Sequence, residues 1–69
     1  MKFSYRDKVK VKAGFFKGQT ARVMDFRQRE FKDTDDEIHY ADEYALAING
    51  LNYNWVDEDY LELIERNAS

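Results

Sequence analysis

Apolar and polar residues alternate with a period of two near the start of the chain, a pattern typical of a β-strand with one buried face. Residues 8–12 read Lys-Val-Lys-Val-Lys, which places two valines on one face and three lysines on the other. β-type residues return from Gln19 to about Arg27. The glycines between these stretches, Gly14 and Gly18, predict a tight connection, because glycine adopts backbone conformations that other residues avoid. The first third of the chain is therefore interpreted as a β-hairpin.

A second hairpin is predicted around Asn49-Gly50, because this dipeptide favours the type I′ turn that joins two strands through a two-residue loop. Residues 44–48 and 51–56 flank the dipeptide and are rich in apolar side chains. Alternation along each strand predicts one apolar stripe per strand, directed at a common core. The residues of these two stripes are Tyr44, Leu46, Ile48, Leu51, Tyr53 and Trp55.

The stretch 28–43, between the two hairpins, is rich in charge and longer than the usual loop of a compact domain. Two interpretations are open for it. Either the flanking strands extend into it as a long hairpin, or it forms a charged, mobile loop.

The last segment, 57–65, also has two interpretations. A short helix capped by Asp57 would bring Tyr60, Leu61 and Ile64 together at one-turn spacing. A 3₁₀ turn at 57–60 would instead release the following residues as a final strand. We favour the turn and the strand, because five short strands with one tight turn make a closed barrel that leaves little exposed edge.

The chain is expected to form a single all-β domain, 1–69, because its 69 residues are too few for two cores. No run approaches the roughly 20 apolar residues of a membrane span, and we expect a cytoplasmic location. Cysteine is absent, which excludes disulfides and thiolate metal sites. Dimerisation through an uncovered strand would compensate for a small core. The expected core residues are Val9, Val11, Phe16, Val23, Leu46, Ile48, Leu51, Trp55, Leu61 and Ile64.

Charge is divided unequally along the chain, although the formal net charge is only -3. Residues 1–32 hold ten basic and three acidic side chains, whereas residues 33–69 hold one basic and eleven acidic ones. This asymmetry has two interpretations. The surface is bipolar and meets polyanions on one side and basic partners on the other, or basic and acidic strands pair with one another across the sheet.

Residues 9–23 resemble the KOW motif, in which V-x-V is followed by G-x-F-x-G-x-x-G-x-V. Ala21 stands at the third glycine of that motif, and the matching residues are Val9, Val11, Gly14, Phe16, Gly18 and Val23. Residues 55–64 are similar to the closing segment of many small bacterial and phage SH3-like domains. The resemblance implies a small five-stranded SH3-like barrel of the KOW type, with a 3₁₀ turn before the last strand. Because KOW-bearing proteins include NusG-type transcription factors and ribosomal proteins, it also implies binding to RNA, the ribosome or RNA polymerase.

The residue types that catalysis needs are sparse in this sequence. His39 is the only histidine, and no cysteine is present to complete a triad or a nitrogen- and sulfur-rich metal site. The acids of 33–37 alternate as in a calcium loop, but counting from Asp33 puts Ile38 where the loop needs glycine and Tyr44 where it needs a bidentate glutamate. We therefore predict a non-enzymatic protein with no cofactor and no metal site.

Two surfaces are candidates for binding. On a basic face, lysine and arginine would contact the phosphates of RNA or DNA, and Phe15 would stack on a base. The residues of this face are Lys8, Lys10, Lys12, Phe15, Lys17, Arg22, Arg27 and Arg29.

The alternative is a protein-protein interaction in which the acidic segments 33–43 and 57–65 meet a basic partner, in the extreme case as a nucleic-acid mimic. No membrane partner is expected. The candidate residues for this interaction are Asp33, Asp35, Asp36, Glu37, Tyr40 and Tyr53. An SH3-like groove could also take a peptide between aromatic walls drawn from Tyr40, Tyr44, Tyr53, Trp55 or Tyr60.

Overall fold

The computed structural model describes residues 2–48, 50 and 53–67, and shows an all-β chain. Its elements are β1 (Lys8–Val11), β2 (Thr20–Lys32), β3 (Ile38–Ala47), β4 (Tyr53–Asp57), a 3₁₀ turn (Glu58–Tyr60) and β5 (Leu61–Glu65). The five strands form one antiparallel sheet in the order β4-β3-β2-β1-β5. Within the described residues the outer strands β4 and β5 do not pair, so the sheet is not closed. No helix in the described part of the chain is long and apolar enough to cross a bilayer.

The 3₁₀ turn and the final strand are confirmed. The Asp57 side chain caps the turn by accepting a hydrogen bond from the Asp59 amide at 2.8 Å, and the Leu61 amide donates to the carbonyl of Glu58. The Lys12 amide donates to the Tyr60 carbonyl at 2.7 Å, which fixes the turn against the end of β1. A helix over this segment is therefore excluded, and the residues after Tyr60 are free to pair with β1.

The uncertain middle stretch is an extended hairpin, because β2 and β3 pair from Arg22↔Ala47 out to Lys32↔Ile38. We call its outer part, residues 28–42, the arm. At the tip, the Asp33 amide donates to the Glu37 carbonyl and the Asp36 amide donates to the Asp33 carbonyl, each at 3.1 Å. Asp36 has a φ of 65°, in the left-handed region that aspartate tolerates better than most residues.

The register between β3 and β4 differs from the expected two-residue loop. Ala47 pairs with Tyr53, which leaves five residues between them, whereas a two-residue loop at 49–50 would pair Ala47 with Asn52. A shift of one residue turns every side chain of a strand to the other face of the sheet. The turn type predicted at Asn49 and the inward position predicted for Leu51 lie outside the described residues.

This register corrects the core prediction for Trp55. Tyr44 pairs with the buried Val56, and Tyr53 and Trp55 therefore lie on the opposite face, 58% and 37% exposed. The core position predicted for Ile64 is also wrong, since Ile64 is 47% exposed. In a strand with period-two alternation, Leu61 shares its inward face with Leu63 instead.

The core combines strand residues with one side chain from the N-terminal segment. Phe3 packs edge-on against Tyr44, with ring centroids 5.2 Å apart. Phe16, Phe26 and Leu63 pack around this core while partly exposed. The buried apolar residues are Phe3, Val9, Val11, Ala21, Val23, Tyr44, Ala45, Leu46, Ile48, Val56 and Leu61.

The hydroxyl of Tyr44 joins three parts of the chain. It accepts hydrogen bonds from the amides of Lys2 and Phe3 at 2.8 and 3.1 Å, and it donates to Oε2 of Glu58 at 2.7 Å. Burial raises the pKa of Tyr44, and the hydrogen bond to Glu58 raises it further. The hydroxyl therefore stays protonated at neutral pH and links the N-terminal segment to the 3₁₀ turn.

The carboxylate of Asp7 joins the two ends of the described chain. It is 1% exposed and accepts hydrogen bonds from the Asn67 amide, the Ser4 amide and the Arg66 guanidinium at 2.9, 2.9 and 3.1 Å. The amides of Asn67 and Ser4 lower the pKa of Asp7, and the charge of Arg66 adds to their effect. Asp7 is thus held ionised in a buried position.

Replacing Tyr44 by Phe is expected to destabilise the fold by about 1–3 kcal/mol, because the buried amide of Phe3 loses its partner and the Lys2 amide and Glu58 each lose one hydrogen bond. Urea denaturation measures this change. Tyr53→Phe is the matched control, since Tyr53 is 58% exposed. Equal midpoints for the two variants would contradict the role of the Tyr44 hydroxyl.

Asp7→Asn is expected to lower stability at neutral pH by about 1–3 kcal/mol, because an amide group cannot accept all three hydrogen bonds. A folded-state pKa that lies below the unfolded value of about 3.9 adds stability above that pH. This contribution disappears as the pH falls through the lowered folded-state pKa. Thermal denaturation from neutral to acidic pH should therefore show the gap between Asp7→Asn and wild type closing, while the exposed control Asp35→Asn follows wild type throughout.

Candidate functional site

The basic residues of β1 do not form an unbroken cationic surface. Lys8 and Lys10 pair in register with Glu65 and Glu62 of β5, so acidic side chains border them along one side. On their other side the same lysines pair with Arg22 and Thr20 of β2. The outer face of this part of the sheet therefore carries mixed charge, as expected if basic and acidic strands pair across the sheet.

The arginines of β2 are held by interactions within the chain. Nε of Arg27 lies 2.8 Å from Glu43 Oε1, and Nε of Arg29 lies 3.8 Å from Glu43 Oε2. The Arg27 guanidinium also stacks over the Trp55 ring at 4.1 Å from its centroid. Arg22 donates to the carbonyl of Arg6 at 3.1 Å. These arginines already have partners within the chain, and a polyanion would have to compete with those partners.

The connection between β1 and β2 presents the most exposed aromatic side chain. Phe15 is 94% exposed and touches Phe16 edge-on, with ring centroids 5.0 Å apart. Lys12 and Lys17 flank it, and neither forms an ion pair within the described residues. Gly14, with a φ of 83°, lies so close to Tyr60 that a Cβ would be 3.2 Å from its ring.

A groove of about 330 Å³ runs from this connection towards β4. Its walls are aromatic, and its charged groups are one arginine and two carboxylates. The lining residues are Val11, Ala13, Gly14, Phe15, Phe16, Arg29, Glu43, Trp55, Val56, Asp57 and Tyr60. Of the aromatic residues named from the sequence for a peptide groove, it contains Trp55 and Tyr60 but not Tyr40, Tyr44 or Tyr53.

Two of the four acidic candidates at the arm tip, Asp33 and Asp36, hold the tip together. Asp33 Oδ1 accepts from the amides of Asp35 and Glu37, and Asp33 Oδ2 lies 2.6 Å from His39 Nε2. The hydrogen bond with His39 lowers the pKa of Asp33, and the Glu37 amide lowers it further. Oδ1 of Asp36 lies 3.7 Å from Nζ of Lys32. Two of the four carboxylates proposed from the sequence as a docking surface, those of Asp33 and Asp36, thus have partners within the arm.

Asp33, Glu37 and His39 each bring one oxygen or nitrogen atom within 4.8 Å of the others. This donor set suits a divalent cation, and the sequence comparison with a calcium loop missed it because His39 approaches from the other strand of the hairpin. The three side chains are exposed or half-buried, and the hydrogen bond between Asp33 and His39 already explains why those two lie together. These residues therefore form a cluster that stabilises the arm tip.

A second concavity, of about 420 Å³, lies between the arm and the 3₁₀ turn, and we call it the acidic cleft. It brings together the two acidic segments, 33–43 and 57–65, that are far apart in the sequence. None of the described residues that line it is basic. The lining residues are Gln28, Phe31, Tyr40, Ala41, Asp42, Asp57, Glu58 and Asp59.

Two of the six protein-binding candidates are aromatic, and they differ in their position relative to this cleft. Tyr40 lines it and is 62% exposed, whereas Tyr53 lies on the outer face of β4. The sequence interpretation did not single out Asp42 or Asp59. Only the length of the hairpin that carries the arm reveals that these residues share one surface.

Comparison with known proteins assigns no function to these surfaces. No protein-family model matches the chain, and the searches of curated proteins and of solved structures give no match. The resemblance to KOW-type and SH3-like domains stays a prediction. The geometry and charge of these surfaces are therefore the basis for a function.

Proposed function

We propose that this chain is a non-enzymatic binding module whose acidic cleft takes a basic segment of a partner protein. The observation that carries the proposal is the convergence of Asp42 with the carboxylates of 57–59 in one concavity beside the exposed ring of Tyr40. The strand count and the 3₁₀ turn before β5 support the further proposal that the module is a small SH3-like barrel of the KOW type.

The cleft has two features that attract cations. Carboxylates on a concave wall reinforce one another's negative potential, which raises the rate at which a basic partner associates. The ring of Tyr40, which is 62% exposed, attracts lysine and arginine through cation-π interactions. Phe31 already stacks on His39, with ring centroids 5.5 Å apart, and has Arg29 over its ring. A partner segment with several lysines or arginines can satisfy both features at once.

The distribution of charge favours this partner over a polyanion. The basic residues are spread over β1, β2 and the β1–β2 connection, and several are paired with Glu43 or lie beside the acids of β5. The acidic cleft, by contrast, has no basic residue among its described lining. A nucleic acid that approached this side would meet uncompensated negative charge.

The proposal predicts that a labelled heptapeptide of alternating lysine and threonine binds the chain, and that Asp42→Lys with Asp59→Lys weakens binding at least about tenfold, a loss of about 1.4 kcal/mol. These two acids are chosen because Asp57 caps the 3₁₀ turn and Glu58 accepts from Tyr44. Fluorescence anisotropy at low and high salt measures the affinity, and high salt should weaken it.

The control variant is Asp35→Lys with Glu62→Lys, which changes the net charge equally but lies outside the cleft lining. It should bind within about threefold of wild type. Equal losses in the two double variants would show a response to net charge alone and would contradict the proposal. Binding of a glutamate-threonine peptide as tight as that of the lysine peptide would also contradict it, as would no saturable binding of the lysine peptide.

A second function, binding of RNA or DNA, is favoured by one specific observation. Phe15 is 94% exposed between Lys12 and Lys17, which form no ion pair with any residue that the structure describes, so one aromatic face and two cations can contact a base and its phosphates. This arrangement needs no help from the paired arginines of β2.

Titration with single-stranded RNA, duplex RNA and duplex DNA tests this second function. If it is correct, affinity for at least one of them falls steeply with salt, and Lys12→Glu with Lys17→Glu weakens binding at least about tenfold. Phe15→Ala should weaken single-strand binding by about 1–3 kcal/mol. Binding that is insensitive to salt, or absent at low salt, would exclude it.

A further inference from the structure

One edge of β3 carries no neighbouring strand along the arm. β4 pairs with β3 only from Glu43 to Ala47, and the chain then leaves the sheet at the 3₁₀ turn. Beyond that point, no described residue pairs with 38–42 on the side away from β2. The place that a longer β4 would occupy is therefore open.

The hairpin geometry shows which backbone groups point to this open place. The Asp33 amide bonds to the Glu37 carbonyl, so the backbone groups of 33 and 37 face each other as in a bonded pair, with the Glu37 amide donating to the Asp33 side chain. Bonded and non-bonded pairs alternate along an antiparallel ladder, which makes Lys32↔Ile38, Glu30↔Tyr40 and Gln28↔Asp42 the non-bonded pairs. The amide and carbonyl groups of Ile38, Tyr40 and Asp42 therefore point away from β2, towards the open edge.

The acidic cleft includes part of this edge. Tyr40, Ala41 and Asp42 of β3 line it together with Gln28 and Phe31 of β2, and residues 57–59 line it at the end where β4 stops. The cleft is thus bordered by unpaired backbone groups as well as by carboxylates. A ligand that lies in it as an extended chain can bond to both.

We propose that the basic partner segment binds as an added antiparallel β-strand alongside residues 38–42 of β3. This inference rests on the proposed function and adds its mode of binding. Hydrogen bonds to the backbone of Tyr40 and Asp42 hold the segment in the place of a longer β4, and cationic side chains opposite these residues share a face with the Asp42 carboxylate. Alternation along the strand then selects segments with lysine or arginine at every second position.

Charge distinguishes this edge from the other open edge of the arm. β1 pairs with β2 only from Thr20 to Arg22, so the outer edge of β2 along 25–32 also has no strand among the described residues. That edge carries Arg27, Arg29 and Lys32 against Asp25 and Glu30, whereas 38–42 carries the Asp42 carboxylate and no lysine or arginine. The β3 edge is therefore the one that fits the proposed partner.

The test uses the lysine-threonine heptapeptide in two N-methylated forms. An added strand directs only alternate amides at β3, and lysines opposite Tyr40 and Asp42 are the residues that donate to it. Methylation of the lysine amides should therefore weaken binding at least about tenfold, while methylation of the threonine amides should leave it within about threefold. Equal affinity of the two methylated forms would overturn the added strand.

Variants of Tyr40 test the same contact from the protein side. Tyr40→Pro removes an amide that points to the open edge, and proline is tolerated at such positions because no ladder bond is lost. It should bind more weakly than Tyr40→Ala, which removes the ring but keeps the amide. Circular dichroism establishes that both variants are folded. Equal binding by two folded variants would contradict the proposal.

Amide hydrogen exchange gives a readout that does not depend on a variant. In the free protein, the amides of His39 and Ala41 should exchange slowly and those of Tyr40 and Asp42 rapidly. Adding the unmethylated peptide should slow the exchange of the Tyr40 and Asp42 amides. Unchanged exchange rates at saturation would overturn the added strand. Failure of the proposed function is distinct: in that case the unmethylated peptide does not bind, or its binding is insensitive to Asp42→Lys with Asp59→Lys.

Discussion

The pairing of β3 with β2, from Arg22↔Ala47 out to Lys32↔Ile38, is the constraint on which the rest of the structure depends. It places Tyr44 and Leu46 in the core and sets the face that β4 presents to them. The same alternation, followed beyond Glu43, turns the backbone groups of Tyr40 and Asp42 to an edge without a strand. One register thus determines the buried side of the sheet and the open side of the arm.

Two buried polar groups stabilise the fold together with the small apolar core. The Tyr44 hydroxyl holds the N-terminal segment against the 3₁₀ turn, and the Asp7 carboxylate holds residues 4 and 66–67 together. Each bonds to main-chain amides, so each fixes the path of the chain rather than the position of one side chain. Burying such groups is favourable only because all these bonds form together.

The sequence predicts the elements of this fold better than their register. Alternating residues identify β1, and the acidic residues after Val56 identify the 3₁₀ turn, because both signals are local. The face of Trp55 depends on one residue of loop length, which the Asn49-Gly50 dipeptide does not determine alone. The burial of Phe3 and Asp7 depends on contacts with residues about 20 to 60 positions away. No periodicity in the N-terminal segment predicts these contacts.

The candidate site was only partly predictable for the same reason. The acidic segments were visible as composition, but the meeting of Asp42 with residues 57–59 follows from the length of the hairpin, which the sequence left open. The hairpin pairing also changes the interpretation of residues 1–32 as a cationic surface, because Arg27 and Arg29 are partners of Glu43. Charge counted along a chain therefore identifies a surface only after the strands are aligned.

An open strand edge usually invites association between copies of the same chain, and the charge of the arm bears on this risk. Two copies that joined their β3 edges would each bring Asp42 and the acids of 57–59 to the shared surface, where the described cleft lining holds no basic residue to offset them. The β2 edge is of mixed charge, because Asp25 and Glu30 lie among its three basic residues. Crowding of like charges between paired strands is unfavourable, so the β3 edge disfavours pairing with its own copy and stays attractive to an extended segment of opposite charge.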